Sequence, residues 1–147
     1  MRKLLVVSPA GGHLCEAMIA LEKTKEEDIV YVTSMLPHLK RNHQNNMEFI
    51  TDPHVSILKY CLNLVTSFKI YMIYRPKLIL STGGGISICL FIIGKAFGSK
   101  TIYIESGSRI LFPSKTGRLL YHFSDYFFVQ SDKLISFYPK AKIIEVL

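Results

Sequence analysis

The residues of this 147-residue chain best suited to chemistry sit in two glycine-rich turns, Pro9-Ala10-Gly11-Gly12-His13 and Ser81-Thr82-Gly83-Gly84-Gly85. Each turn follows a short apolar run and precedes a helix-patterned one. That arrangement aims unpaired backbone N–H groups and a helix N-terminus at one edge of a sheet, which is how α/β folds receive phosphate. Glycine lets the backbone bend sharply and lets a ligand come close to its N–H groups. An anionic ligand at that edge is the expectation. Gly83, Gly84 and Gly85 also suit close packing of strand on helix, and the spacing leaves both uses open.

Three side chains add to this. His13 opens the first helix, placed for its imidazole to reach a hydroxyl held above the turn. A helix N-terminus disfavours imidazolium and keeps the neutral form that a general base requires. A capping or packing histidine is the competing reading. Glu105 and Arg109 are the acid–base pair of the loop Glu105-Ser106-Gly107-Ser108-Arg109, where a solvated salt bridge is the alternative to a functional role.

Several chemistries are excluded. A dinucleotide fold needs Gly-x-Gly-x-x-Gly and an acid ending the second strand, whereas that strand here ends Val32-Thr33-Ser34. No Walker lysine follows either glycine cluster, no Gly-x-Ser-x-Gly elbow occurs, and Lys115-Thr116-Gly117 lacks a Ser-x-x-Lys partner. The five histidines and three cysteines show no metal-ligand spacing. Neither a metal nor a cofactor is expected.

The elements that must position these groups follow from periodicity. Leu4 to Val7 is continuously apolar, as in a strand covered on both faces. Leu14, Ala17, Met18 and Leu21 then recur at helical spacing, and Ile29 to Thr33 supplies a second strand. A short strand is predicted near Phe49-Ile50, after the polar, basic segment Pro37 to Asn46. Cys61, Leu64, Val65, Phe68 and Met72 mark one side of a long helix from Ile57 that Pro76 must end near Arg75. Leu78 to Ser81 reads as a strand, Ile86 to Phe97 as an apolar helix, and Thr101 to Ile104 as a strand. A helix around Thr116 to Phe123, a strand at Tyr126 to Val129, a helix near Asp132 to Phe137 and a strand at Lys142 to Val146 complete the pattern. Alternating strands and helices predict one α/β domain over residues 1–147, with a doubly wound, mostly parallel Rossmann-like sheet.

The formal charge is +7, and from Pro53 to Ile104 there is no acid, while Lys59, Lys69, Arg75, Lys77, Lys95 and Lys100 fall there. Because aliphatic and aromatic residues such as Tyr60, Tyr71 and Tyr74 fill that stretch, an anionic membrane surface fits better than nucleic acid. The long helix therefore either lies in a bilayer interface or is well buried. Leu78 to Gly94 is uncharged, yet its glycines argue for strand, turn and buried helix over a membrane span. Cys15, Cys61 and Cys89 lie in apolar runs and read as buried, reduced thiols of a cytosolic setting.

Taken together, Ser8-Pro9-Ala10-Gly11-Gly12-His13 with Glu16, the run Pro76 to Gly85, Ile104-Glu105-Ser106 with Arg109, Pro113-Ser114-Lys115-Thr116-Gly117-Arg118-Leu119-Leu120-Tyr121, and Val129-Gln130 with Tyr138-Pro139 resemble the acceptor-side subunit of two-part GT-B glycosyltransferases. The eukaryotic relative anchors the N-acetylglucosaminyltransferase that adds the second sugar to a dolichol-linked oligosaccharide. Bacterial relatives serve capsule and exopolysaccharide assembly. The family is in turn similar to the N-terminal half of the peptidoglycan lipid-I N-acetylglucosaminyltransferase.

The resemblance implies that Gly11, Gly12, Gly83, Gly84 and Gly85, with Arg109, hold the diphosphate of a lipid-linked sugar acceptor. It implies catalytic roles for His13, as base, and for Glu105 in the cleft. A separate catalytic glycosyltransferase subunit would carry the UDP-sugar site and dock on Ile143, Ile144, Val146 and Leu147. Glu145 and Ser131 stand where relatives often carry glycine and tryptophan. The eukaryotic relative has an N-terminal span that this sequence lacks, so attachment at the cytoplasmic face of a membrane would rest on Lys59, Lys69, Tyr71 and Arg75. The competing readings are a self-sufficient nucleotide-binding domain and an anchor without a part in chemistry.

Overall fold

A computed structural model describes residues 4–24, 28–35 and 46–146. The strand Leu4–Val7 (β1) is buried along its whole length. It lies between Ile29–Ser34 (β2) and Leu78–Ser81 (β4), parallel to both, with Leu4 in register with Ile29 on one side and Leu78 on the other. Met47–Ile50 (β3) extends the sheet beyond β2; Lys100–Ile104 (β5), Tyr126–Val129 (β6) and Lys142–Ile143 (β7) extend it beyond β4. All seven strands are parallel, in the order β3-β2-β1-β4-β5-β6-β7. The helices are Gly12–Leu21 (α1), Ile57–Tyr74 (α2), Ser87–Ala96 (α3) and Lys115–Leu120 (α4).

The chain winds outward from β1 to β3, returns through α2 to β4 and then winds outward the other way. The doubly wound sheet expected from the sequence is thus present. Its direction of winding reverses between β1 and β4, and in such sheets the crevice at the strands' carboxyl ends is where ligands bind. Both glycine turns lie there.

Side chains alternate across the sheet as the pleat requires. Leu5, Val7, Ile79 and Tyr103 join Ile70 of α2 and Leu90 and Phe91 of α3 in one core; Leu4, Val6, Leu80 and Ile104 join Ala17 of α1 in the other. Ile144 and Val146 pack against this second core. They are committed in part to their own sheet, while Ile143 is exposed and Leu147 falls outside the described residues.

Helix α2 is turned over relative to its sequence pattern. Asn63, Ser67, Ile70 and Tyr71 face inward, whereas Leu62, Leu64, Val65, Phe68 and Met72 are exposed. The inward polar groups are satisfied: Asn63 Nδ2 donates to the carbonyls of Thr51 (2.8 Å) and Ile86 (3.3 Å), Ser67 Oγ donates to Asn63 Oδ1, and the Tyr71 hydroxyl reaches Ser99 and the Phe97 carbonyl. Hydrogen bonds to loops around the sheet thus act together with the apolar packing of Ile70 and Tyr71 to seat this helix. Tyr71, 6% exposed, is consequently not a membrane contact.

Smaller differences follow from local chemistry. Asp132–Ser136 forms a 3-10 turn instead of an α-helix, and β7 has two residues rather than five. Cys15 and Cys61 are exposed rather than buried, Cys61 because α2 presents that side outward. Among the described residues no helix is long and apolar enough to cross a membrane.

Candidate functional site

Thr82, at the end of β4, ties the two turns together. Its hydroxyl donates to the His13 carbonyl (2.7 Å), so the 2.8 Å contact between Ser8 Oγ and Thr82 Oγ1 has Ser8 as donor. The Thr82 carbonyl, in return, faces His13 Nδ1 at 2.9 Å. A carbonyl accepts only, so Nδ1 carries the proton, and the neutral ring then holds its lone pair on Nε2. The ring lies against Gly83, where an added Cβ would sit 3.2 Å from His13 Cε1 and 3.3 Å from the Tyr103 hydroxyl.

His13, Gly83 and Gly84 form one wall of a cavity of about 520 Å³. The rest of the lining includes, from the loop after β5, Ser106, Ser108 and Arg109 and, from α4, Lys115, Thr116 and Arg118. The sequence reading thus placed His13, Gly83, Gly84, Glu105 and Arg109 at one site, and the structure brings these five together. It does not bring Gly11, Gly12 or Gly85 to the cavity lining: Gly11 and Gly12 are exposed beside it, and Gly85 packs against Tyr60 and Pro53.

Glu105 is not placed to move a proton. It is 1% exposed, and its carboxylate accepts from Ser114 N (3.1 Å), Ser114 Oγ (2.7 Å) and the Tyr138 hydroxyl (2.9 Å) rather than pairing with Arg109. Ser114 Oγ in turn caps α4 by accepting from Gly117 N at 2.8 Å. Burial first, and then the nearby Glu105 charge, push the Tyr103 and Tyr138 hydroxyls above the ordinary tyrosine range, so both stay protonated donors. The expected catalytic role for Glu105 therefore gives way to a supporting one.

A second buried carboxylate fixes the loop after β5. Glu16 Oε1, one turn into α1, accepts from Gly107 N at 2.7 Å and from the Gln130 side chain. It therefore joins the helix that carries His13 to the loop that carries Arg109. Arg109, Lys115 and Arg118 are exposed toward the cavity, and no carboxylate of the described residues comes within ion-pairing distance of them. The Gly83 N–H is already donated to Ser81 Oγ (3.1 Å), so it is the three cations without carboxylate partners that make this a site for an anion. Among the described residues no group of acids, histidines or cysteines is arranged to hold a metal.

The sequence reading did not single out Lys115 and Arg118 as ligands. Their three-residue spacing on a helix opening after Ser114 was the available signal, but only the loop connection after β5 reveals that this helix turns back over the crevice.

A family model described as "Oligosaccharide biosynthesis protein Alg14 like" matches residues 43–147. The UDP-N-acetylglucosamine transferase subunit ALG14 of Rattus norvegicus is 28% identical over 135 residues, 88% of this chain and 59% of that protein. The Homo sapiens protein of the same name is 37% identical over 81 residues, 51% of this chain and 38% of that protein. The chain thus spans less than two thirds of these relatives. Among solved structures, UDP-N-acetylglucosamine 2-epimerase from Rickettsia bellii superposes with a TM-score of 0.75 at 12% identity, over 95% of this chain and 41% of that one. MurG from Acinetobacter baumannii does so with a TM-score of 0.70 at 10% identity, over 89% and 42%. At these identities the likeness is one of fold, and it covers somewhat under half of each of those chains.

Proposed function

The chain belongs to the Alg14-like family of oligosaccharide biosynthesis proteins, and from that premise we propose that it is the acceptor-side subunit of a two-part glycosyltransferase. In this reading it is one domain that binds a lipid-diphosphate-linked sugar at the cytoplasmic face of a membrane. A separate catalytic partner supplies the UDP-N-acetylglucosamine site. The product belongs to capsule, exopolysaccharide or lipid-linked oligosaccharide assembly. The observation that carries the reading is the cavity lined jointly by His13, Gly83, Gly84, Arg109, Lys115 and Arg118.

The chemistry follows from that geometry. The Gly83 N–H is held by Ser81 Oγ, so the Gly84 backbone and the Arg109 guanidinium grip the diphosphate, and this places the acceptor hydroxyl near His13. With Nδ1–H donated to the Thr82 carbonyl, Nε2 takes the hydroxyl proton as the oxygen attacks the sugar carbon and UDP departs. The exposed apolar side of α2, with Leu58 and Leu62 beside Lys59 and with Lys69 and Arg75 farther along, rests on the bilayer surface. The exposed Ile143, with Ile144 and Val146 beside it, offers the partner an apolar edge.

Reconstitution tests the division of labour. Membrane extract, labelled UDP-N-acetylglucosamine and both chains together give transfer, and each chain alone gives none; transfer by this chain alone refutes it. In the assembled pair His13→Ala lowers kcat about 100-fold or more with little change in KM, and unchanged turnover favours a pure anchor. Flotation with anionic vesicles, lost in Leu58→Asp, tests the membrane face; retention by that variant removes α2 from it.

A further inference from the structure

The three cations of the cavity come from two different elements, and this difference assigns them different work. Arg109 lies in the loop between β5 and α4, whereas Lys115 and Arg118 are three residues apart on α4 itself, and all three line the cavity with Gly83 and Gly84. We propose that Lys115 and Arg118 hold one phosphoryl group of a diphosphate while the Gly83-Gly84 turn and Arg109 hold the other, so that the site takes a diphosphate and discriminates against a monophosphate. The proposal rests on the acceptor-binding reading of this cavity and adds its second wall.

Three observations support the α4 wall. First, α4 is fixed and not merely adjacent. Glu105, fully buried, accepts from both the backbone and the hydroxyl of Ser114, and a Cβ on Gly117 would lie 2.2 Å from Glu105 Oε2 and 2.8 Å from the Tyr138 hydroxyl. The helix therefore sits as close to the carboxylate as a residue without a side chain permits. Second, the Arg118 guanidinium lies 6.0 Å from the centre of the Phe137 ring, which steadies it without neutralising it. Third, that buried carboxylate is spent on uncharged donors, Ser114 and Tyr138, so it anchors α4 without pairing either of its cations. The Lys115 and Arg118 heads, in one cavity with Arg109 and Gly84, suit two linked phosphoryl groups, since guanidinium and ammonium bind phosphate strongly when no carboxylate competes.

Titration calorimetry of the full chain with inorganic pyrophosphate and with orthophosphate, at matched ionic strength, tests this. The wild type is expected to bind pyrophosphate at least tenfold more tightly than orthophosphate. Lys115→Gln and Arg118→Gln each weaken pyrophosphate binding at least fivefold and narrow that preference, with melting temperatures unchanged. Lys77→Gln, just before β4 at the amino ends of the strands and outside the cavity lining, stays within twofold. If Arg109→Gln weakens binding while Lys115→Gln and Arg118→Gln bind as the wild type does, α4 is not part of the grip and the acceptor-site reading survives. Equal binding of the two anions by the wild type likewise overturns the two-sided grip alone. If none of the three variants alters binding, or the wild type takes up no pyrophosphate, both the grip and the acceptor-site reading fail.

Discussion

At the first glycine turn a Cβ built on Gly11 or Gly12 meets nothing within 4 Å, whereas at the second a Cβ on Gly84 would stand 2.1 Å from Pro9 Cγ and 2.8 Å from Pro9 Cδ. The two turns touch, since Pro9 belongs to the first and Gly84 to the second, yet they need glycine for unlike reasons. The second turn is closed by neighbours: Gly83 against His13 and Tyr103, Gly84 against Pro9, Gly85 against Tyr60. The first is open to solvent and demands glycine only where the backbone does, at Gly11, whose φ of 99° and ψ of −140° lie outside the range other residues adopt. Glycine in one turn therefore serves packing around the cavity, and in the other it serves a bend beside open space.

Gly84→Ala attacks the closed turn at its tightest point. The proline ring cannot swing aside as a flexible side chain does, and φ is +80°, so strain and overlap add. A loss of about 3 kcal/mol or more is expected, read as a large fall in melting temperature or in soluble yield. A melting temperature within a degree of wild type breaks the contrast between the turns.

Glu16→Ala tests what holds the open turn's helix to the rest of the site. Removing the carboxylate leaves Gly107 N without its acceptor and Gln130 Nε2 with only the Glu105 carbonyl, a cost of about 1–3 kcal/mol. The loop carrying Arg109 also loses its tie to α1, so pyrophosphate affinity falls along with stability. Both donors reach the same oxygen, Oε1, and an amide oxygen accepts from two donors, so Glu16→Gln is expected to recover most of the loss. A loss as large as that of Glu16→Ala would mean that an acceptor oxygen alone does not fix the loop.

The same contrast explains what was legible in the sequence. Continuous apolar runs such as Leu4–Val7 and the β-turn-α alternation specify a parallel sheet, because a strand covered on both faces has few other solutions. His13, Gly83, Gly84, Glu105 and Arg109 were recognisable because chemistry and spacing coincide at turns. The roles were less legible. A buried glutamate and a cleft glutamate look alike until the partners of Glu105 are seen, and nothing in residues 57–74 signals that α2 rests on Asn63, Ser67 and Tyr71 while its leucines face out. That orientation is set by carbonyls at Thr51, Ile86 and Phe97, which come near the helix only once the sheet has formed. Lys115 and Arg118 were hidden for the same reason: their partner across the cavity is some thirty residues earlier in the chain.

Within the open turn itself, Gly11 and Gly12 separate backbone need from ligand contact. Gly11→Ala has room for its methyl but not the conformation, and is expected to cost about 1–3 kcal/mol. Gly12→Ala has room and no positive φ; as the first residue of α1 it is expected to leave stability within about 0.5 kcal/mol, with a small gain possible from reduced unfolded-state freedom. Any change in pyrophosphate affinity or in transfer by Gly12→Ala then reports a ligand lying over the turn, because the fold offers the methyl nothing else to strike. If Gly12→Ala binds and transfers as the wild type does, the diphosphate is held by the second turn and the cations alone. The open turn then serves only to start the helix that carries His13 and Glu16.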